Sequence, residues 1–257
     1  MDKELIKQRF SKASGTYGDA SHVQQSIGRK MTDIIREVAP RNYSHVLEIG
    51  CGTGAYSRLL CETFHPEQLF LNDISEAMLA HCTDIPCPHI SFLQGDAEAV
   101  SYPDQQDMIT SCSAIQWFAD PEMFFRKCYA SLNSQGILAF STFGEKNYQE
   151  IKTLTGSGLK YVPMEALVGM LPSGYQLLAA KEEILHHQFP NPIQVLHHQK
   201  QTGVTGIVDH RHHRQPWTQQ KLQDFCDAYS RTFPSDDGVT LTYHPIYIVA
   251  IKKLNRL

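Results

Sequence analysis

Val46-Leu47-Glu48-Ile49-Gly50-Cys51-Gly52-Thr53-Gly54 joins a short apolar strand to a glycine-rich turn. A strand that ends this way must turn tightly. It must also let backbone N–H groups approach a ligand with no Cβ in the way. Ala55–Phe64 then reads as a helix, with Tyr56, Leu59, Leu60 and Phe64 apolar at helical spacing. Its N-terminal dipole suits an anionic or polar ligand. Gly50, Gly52 and Ala55 also satisfy the G-x-G-x-x-A form of the NAD fingerprint, so the turn alone leaves the nucleotide open.

Outward from the turn, strands and helices alternate. Ser21–Val38 reads as a helix stopped by Pro40. His45–Ile49, Gln68–Asn72, Ile90–Gln94, Gln106–Cys112 and Gly136–Thr142 read as strands, with helices over Ser75–His81 and Pro121–Leu132. This alternation predicts an α/β fold with a parallel sheet covered on both faces. After residue 143 the rhythm changes. A strand is expected within Tyr175–Phe189, helices over Pro192–Thr202 and Thr218–Thr232, and a last strand over Leu241–Lys252 containing Pro245. Residues 190 to 240 therefore read as a helical insertion before the closing strand.

Ligands in such sheets bind beyond the carboxyl ends of the strands. Two acids stand there. Asp73 follows the second strand, where a carboxylate accepts from a ribose diol. Gly95-Asp96-Ala97-Glu98 follows the third strand, where a carboxylate can accept from an adenine amino group.

The chain has 257 residues and a formal charge of −4, which excludes a general nucleic-acid coat. The charge is unevenly spread. Residues 1–45 carry 8 basic and 5 acidic side chains, residues 46–150 carry 4 and 14, and residues 151–257 carry 11 and 8. The seven cysteines form no C-x-x-C pair and predict reduced thiols. No signal peptide and no apolar run of about 20 residues is visible, so a soluble cytoplasmic protein without membrane or nucleic-acid partners is expected.

The glycine turn, Asp73, the GDAE motif and Ser111–Phe118, in that order, resemble the class I S-adenosylmethionine-dependent methyltransferases. The resemblance implies a Rossmann-like, mostly parallel seven-stranded sheet. It places Gly50, Cys51 and Gly52 along the methionine part of the cofactor, with Glu48 in support. Asp73 would hold the ribose, Ile74 and Met78 would flank the adenine, and Asp96 and Ala97 would meet its polar edge. Ser113 would begin the wall nearest the sulfur.

Further segments narrow the family. Arg9-Phe10-Ser11 with Tyr17, Ala114–Phe118, Leu138–Gly144, Thr202–Thr205 and Leu241–Tyr243 are similar to the malonyl-[acyl-carrier protein] O-methyltransferases of biotin synthesis. That resemblance implies methyl esterification of the free carboxylate of a malonyl thioester, with an acyl carrier protein as partner. It makes Tyr17, Arg211 and Arg214 the candidates that face the acceptor. The expected organisation is a helical lid over 1–40, a cofactor core over 41–190, a substrate cap over 191–240 and a closing strand over 241–257. A monomer or weak dimer is expected.

Two other readings stay open at this level. One is a carboxyl methyltransferase for a free small acid, such as an aconitate-like molecule. The other is a non-catalytic nucleotide-binding or NAD-dependent module. Residues 186–213 hold seven of the 13 histidines, but no supporting cysteine or HExxH pattern accompanies them, so no metal is expected.

Overall fold

The structure is a computed structural model and describes residues 2–204 and 217–254. Val46, Leu47, Glu48 and Ile49 are all buried, so β1 (His45–Ile49) is an inner strand. It pairs in parallel with β2 (Gln68–Asp73), Val46 opposite Leu69. On its other edge Val46 stands opposite Met108 of β4 (Gln106–Cys112). Burial of each Val, Leu or Ile side chain in such a strand is worth about 1.5–3 kcal/mol. β3 (His89–Gln94) pairs outside β2, and β5 (Leu132–Phe143) outside β4, both in parallel.

Helices cover both faces. α1 (Lys3–Ala20) and α2 (His22–Val38) precede β1. α2 buries Val23, Ile27, Met31, Ile34 and Ile35, the apolar stripe visible in the sequence. α3 (Ala55–Phe64) follows the glycine turn, and α4 (Glu76–Leu79) follows β2. Ser75 caps α4 by accepting from the Met78 N–H at 3.3 Å. α5 (Pro121–Ser131) starts on Asp120, which accepts from the Met123 N–H at 2.9 Å.

Beyond β5, α6 (Gln149–Thr155) and α7 (Met164–Gly169) lead to β6 (Tyr175–Glu182). The Tyr175–Phe189 stretch holds two strands rather than one, because the chain leaves the main sheet at β7 (Leu185–Phe189). Then come α8 (Pro192–Gln201), α9 (Gln219–Thr232), β8 (Pro234–Ser235), β9 (Gly238–Tyr243) and β10 (Pro245–Lys252). The main sheet has the order β3-β2-β1-β4-β5-β10-β6, with only β10 antiparallel to its neighbours.

The insertion is therefore not purely helical. β7, β9 and β8 form a separate three-stranded antiparallel sheet beside α8 and α9. The stretch read as one closing strand from Leu241 is also two. His244 and Pro245 divide it: the His244 N–H turns to Asn147 Oδ1 at 3.2 Å, and the His244 carbonyl accepts from the Gly144 N–H at 2.8 Å. Pro245 has no N–H to continue the first ladder, so the chain crosses there from the small sheet to the large one.

Candidate active site

Strand order reverses between β1 and β4, which opens a crevice at their carboxyl ends. A cleft of about 650 Å³ lies there. Gly50 lines it in the left-handed conformation, φ +70°, and a Cβ at this position would lie 2.5 Å from the Cβ of Ala114. Glycine is thus required twice, once by conformation and once by space.

Asp73 ends β2 inside the cleft and is buried. Its Oδ2 accepts from the Gly52 N–H at 2.9 Å and its Oδ1 from the Ser75 N–H at 2.8 Å. Burial pushes the carboxyl up to about 6, against the pull of these backbone donors. One carboxylate thus ties the glycine turn to the cap of α4 while lining the cleft. Ile74 and Met78 line the wall beside it, Met78 fully buried.

Asp96 and Ala97 line the same cleft beyond β3. The Asp96 Oδ1 accepts from Lys3 Nζ at 3.2 Å, and Lys3 also pairs with Glu98. Burial pushes Glu98 up, yet Lys3 and the N–H groups of Ala119 and Asp120 hold it below the ordinary carboxylate range. Lys3 is a member of the site that sequence reasoning missed. It lies 93 residues from Asp96, and nothing in its own neighbourhood marks it.

α1 closes the cleft from above. Ile6, Trp117 and Leu159 form a small buried cluster against which Phe10 and Phe118 pack. The Phe10 and Trp117 rings meet edge to face with centroids 5.6 Å apart. Ser11 of α1 and Ser75 of the α4 cap share a hydrogen bond of 2.8 Å. Tyr17 sits over the turn, its ring 3.8 Å from the place a Gly52 Cβ would occupy. Burial raises the Tyr17 hydroxyl well above its ordinary value, with the Asp73 carboxylate adding to the effect, so it stays protonated.

Glu48 and Cys51 do not line this cleft. They line a groove of about 1010 Å³ on the other side of the turn, which shares Gly50, Gly52 and Tyr17 with the cleft. Glu48 is 1% exposed, and its Oε2 has no hydrogen-bond partner among the described residues. Burial pushes its carboxyl up to about 8. The Cys51 thiol is also raised, first by hydrogen bonding with the Cys82 thiol and then by burial, so it is no reactive thiolate.

A further cavity of about 350 Å³ opens beside the cleft and shares Phe10, Tyr17, Ser113 and Trp117 with it. Ser113, at the end of β4, has φ +60° and a buried Oγ with no hydrogen-bond partner among the described residues. Gln116 fixes the strained turn by donating to the Ser113 carbonyl at 2.6 Å, while its Oε1 accepts from Thr142 at 3.2 Å. Arg211 and Arg214 lie outside the described residues.

The family model described as a methyltransferase domain matches residues 47–140. A malonyl-[acyl-carrier protein] O-methyltransferase of Bacteroides thetaiotaomicron is 46% identical over 98% of this chain and 99% of its own length. One of Bacteroides fragilis is 50% identical over 98% of this chain, which spans only 51% of that longer relative. Among solved structures, a Haemonchus contortus phosphoethanolamine N-methyltransferase in complex with S-adenosyl-L-methionine has the same fold. Its TM-score is 0.53 at 16% identity, covering 88% of this chain and 53% of that one.

Proposed function

Because the chain belongs to the malonyl-[acyl-carrier protein] O-methyltransferase family, we infer that it methyl-esterifies the free carboxylate of a malonyl group on an acyl carrier protein. The methyl donor is S-adenosylmethionine, and the ester serves the biotin pathway. The observation that carries this reading is the shared wall of the two cavities. An acidic, adenosine-sized cleft meets a smaller acceptor-sized cavity at Tyr17 and Ser113.

The residues fit that donor. Asp73 uses one lone pair of each oxygen on the backbone and keeps the others for a ribose diol. Ile74 and Met78 supply an apolar slot for a purine, and Asp96 Oδ2 is left to accept from an amino group. The buried Glu48 Oε2 beside Cys51 and Gly52 has no partner among the described residues and is protonated near neutrality, so a cationic donor would be met by its ionised form. When bound, S-adenosylmethionine supplies a methyl group activated on a sulfonium.

The chain's own task is then positioning. A malonyl carboxyl, with an ordinary pKa near 4, is already ionised at neutral pH, so no side chain has to remove a proton. Tyr17 and the α1 aromatics exclude water from the junction, and Ser113 and Gln116 fix the wall along which the acceptor oxygen lies. Tyr17 and the arginines Arg211 and Arg214 are proposed to face the acceptor. Residues 1–40 are proposed as the lid and 191–240 as the acceptor cap.

The proposal extends to a cytoplasmic monomer or weak dimer. Its seven unpaired thiols support a reducing compartment, and no helix among the described residues is long and apolar enough to cross a membrane. The test is methyl transfer with malonyl-carrier, malonyl-coenzyme A and free malonate in parallel. Turnover of the malonyl-carrier is expected to dominate. Turnover of free malonate alone would refute the reading.

A further inference from the structure

The cavity beside the donor cleft is polar without being charged. Tyr17, Tyr148, Tyr161, Gln24, Gln116, Asn147 and Ser113 bring its hydroxyls and amides, and none of the described residues lining it is ionic at neutral pH. A carboxylate placed there has to be met by hydrogen-bond donors. The identity of the donor follows from an account of the protons.

Tyr148 is committed inward. Its hydroxyl donates to the Tyr243 hydroxyl at 3.2 Å, and Tyr243 in turn bonds His198 Nε2. Burial, with the neighbouring His187 and His22, pushes His198 down to about 4, so its ring is neutral and, in the tautomer protonated at Nδ1, its Nε2 accepts from the Tyr243 hydroxyl.

Tyr161 has the opposite polarity. Its oxygen accepts from Asn147 Nδ2 at 2.8 Å, and its own proton has no acceptor among the described residues. Asn147 is held in that orientation because its Oδ1 takes the His244 N–H at 3.2 Å. His244 is itself fixed. Its Nδ1 accepts from the Lys146 N–H at 3.2 Å, which leaves Nε2–H for Glu182, also at 3.2 Å. Burial raises the Tyr161 hydroxyl to about 12, so the proton is present across the working pH range.

We propose that Tyr161 donates a hydrogen bond to the acceptor carboxylate, and that Asn147 is the positioning residue that keeps the Tyr161 proton turned into the cavity. This inference rests on the malonyl esterification reading and names a residue that selects for a carboxylate. Donation by a neutral hydroxyl orients the anion without placing a further charge against the reacting oxygen.

Two variants test it. Tyr161→Phe removes only the hydroxyl. It is expected to lower kcat/KM for malonyl-carrier about 10- to 100-fold, the usual effect of losing one bond to a charged group. Affinity for S-adenosylhomocysteine should stay as in wild type, and the Tm should fall only by the few degrees that loss of the Asn147–Tyr161 bond costs. Asn147→Asp keeps an acceptor for the His244 N–H but draws the Tyr161 proton onto the new carboxylate. Its activity should therefore fall as pH rises through the titration of that carboxyl and recover on acidification, a profile a purely structural defect does not produce.

Tyr161→Phe with wild-type kcat/KM overturns the inference, as does loss of activity that tracks loss of product binding or unfolding at the assay temperature. An Asn147→Asp variant with the wild-type pH profile removes Asn147 from it. Wild-type enzyme with no turnover of malonyl-carrier instead refutes the function reading, and this inference with it.

Discussion

The Cα of Gly50 faces Ala114 so closely that a methyl group on Gly50 would lie 2.5 Å from the Ala114 Cβ. The turn after β1 and the wall after β4 are therefore in direct contact along the cleft that both residues line. Gly50→Ala should destabilise the protein by about 2–4 kcal/mol, from the positive φ and the overlap together. Ala114→Gly in the same chain should return the part due to overlap and leave the part due to φ. Chemical denaturation of the two single variants and the double variant measures both. Additive losses would show that the two residues do not share the strain.

Glu48 gives a pH prediction. Its carboxyl is pushed up to about 8, well above its value in an unfolded chain, so the folded protein holds a proton that the unfolded one has lost. That contribution to stability is complete below the unfolded value and is lost as pH rises toward 8. Glu48→Gln should therefore raise the Tm of the ligand-free protein at pH 8 more than at pH 5. A cationic donor needs the ionised carboxylate, so wild-type affinity for S-adenosylmethionine should rise with pH between about 6 and 8. The variant should bind more weakly with a flat profile over that range. Calorimetry at several pH values decides, and a wild-type slope retained by Glu48→Gln would remove Glu48 from donor binding.

Lys3 joins α1 to both acids of the GDAE motif. The pairs are only partly buried, so each is worth on the order of 1 kcal/mol. Lys3→Ala should weaken S-adenosylhomocysteine binding about fivefold. It should also speed amide exchange within Lys3–Ala20 and reduce the salt dependence of binding. Unchanged exchange in α1 would mean that the aromatic contacts alone keep the cleft covered.

Arg211 and Arg214 remain the proposed cationic contacts of the acceptor. Alanine at each should lower turnover of malonyl-carrier while leaving product affinity within about twofold, since a contact to one substrate alone appears in kcat/KM for that substrate. Steady-state kinetics with saturating donor reads this directly. A rate unchanged in both variants would exclude them.

The sequence was most legible where burial is two-sided. β1, α3 and β4 have the bounds that their apolar runs and glycine breaks predict. α4 is shorter than the Ser75–His81 reading, because after Leu79 the chain goes on in single turns rather than a helix. α1 buries only Ile6 and Ala13, since it covers a ligand cleft instead of a core, and so it leaves little periodic signal. The small sheet was hidden for another reason. Its central strand, β9, runs straight into Pro245, and a single chain segment that serves two sheets looks like one strand. Asp73, Asp96 and Ser113 were visible as strand-end residues. Lys3 and the Asn147–Tyr161 pair were not, because their partners are set by long-range packing and by loops.

The crossing at His244 has a consequence for how acceptor specificity can be changed. The Glu183 N–H bonds the Pro245 carbonyl at 3.1 Å, so the chain leaves the main sheet and returns to it at adjacent points. Residues 184–243 are thus a cassette whose two seams are already stitched together. An equivalent segment from a relative with another acceptor, joined at the same two seams, adds no new loop to close and leaves β6 and β10 paired. His244 must travel with the core rather than with the cassette, because it orients Asn147. Chimeras cut on either side of that single residue separate recognition of the carrier from recognition of the carboxylate.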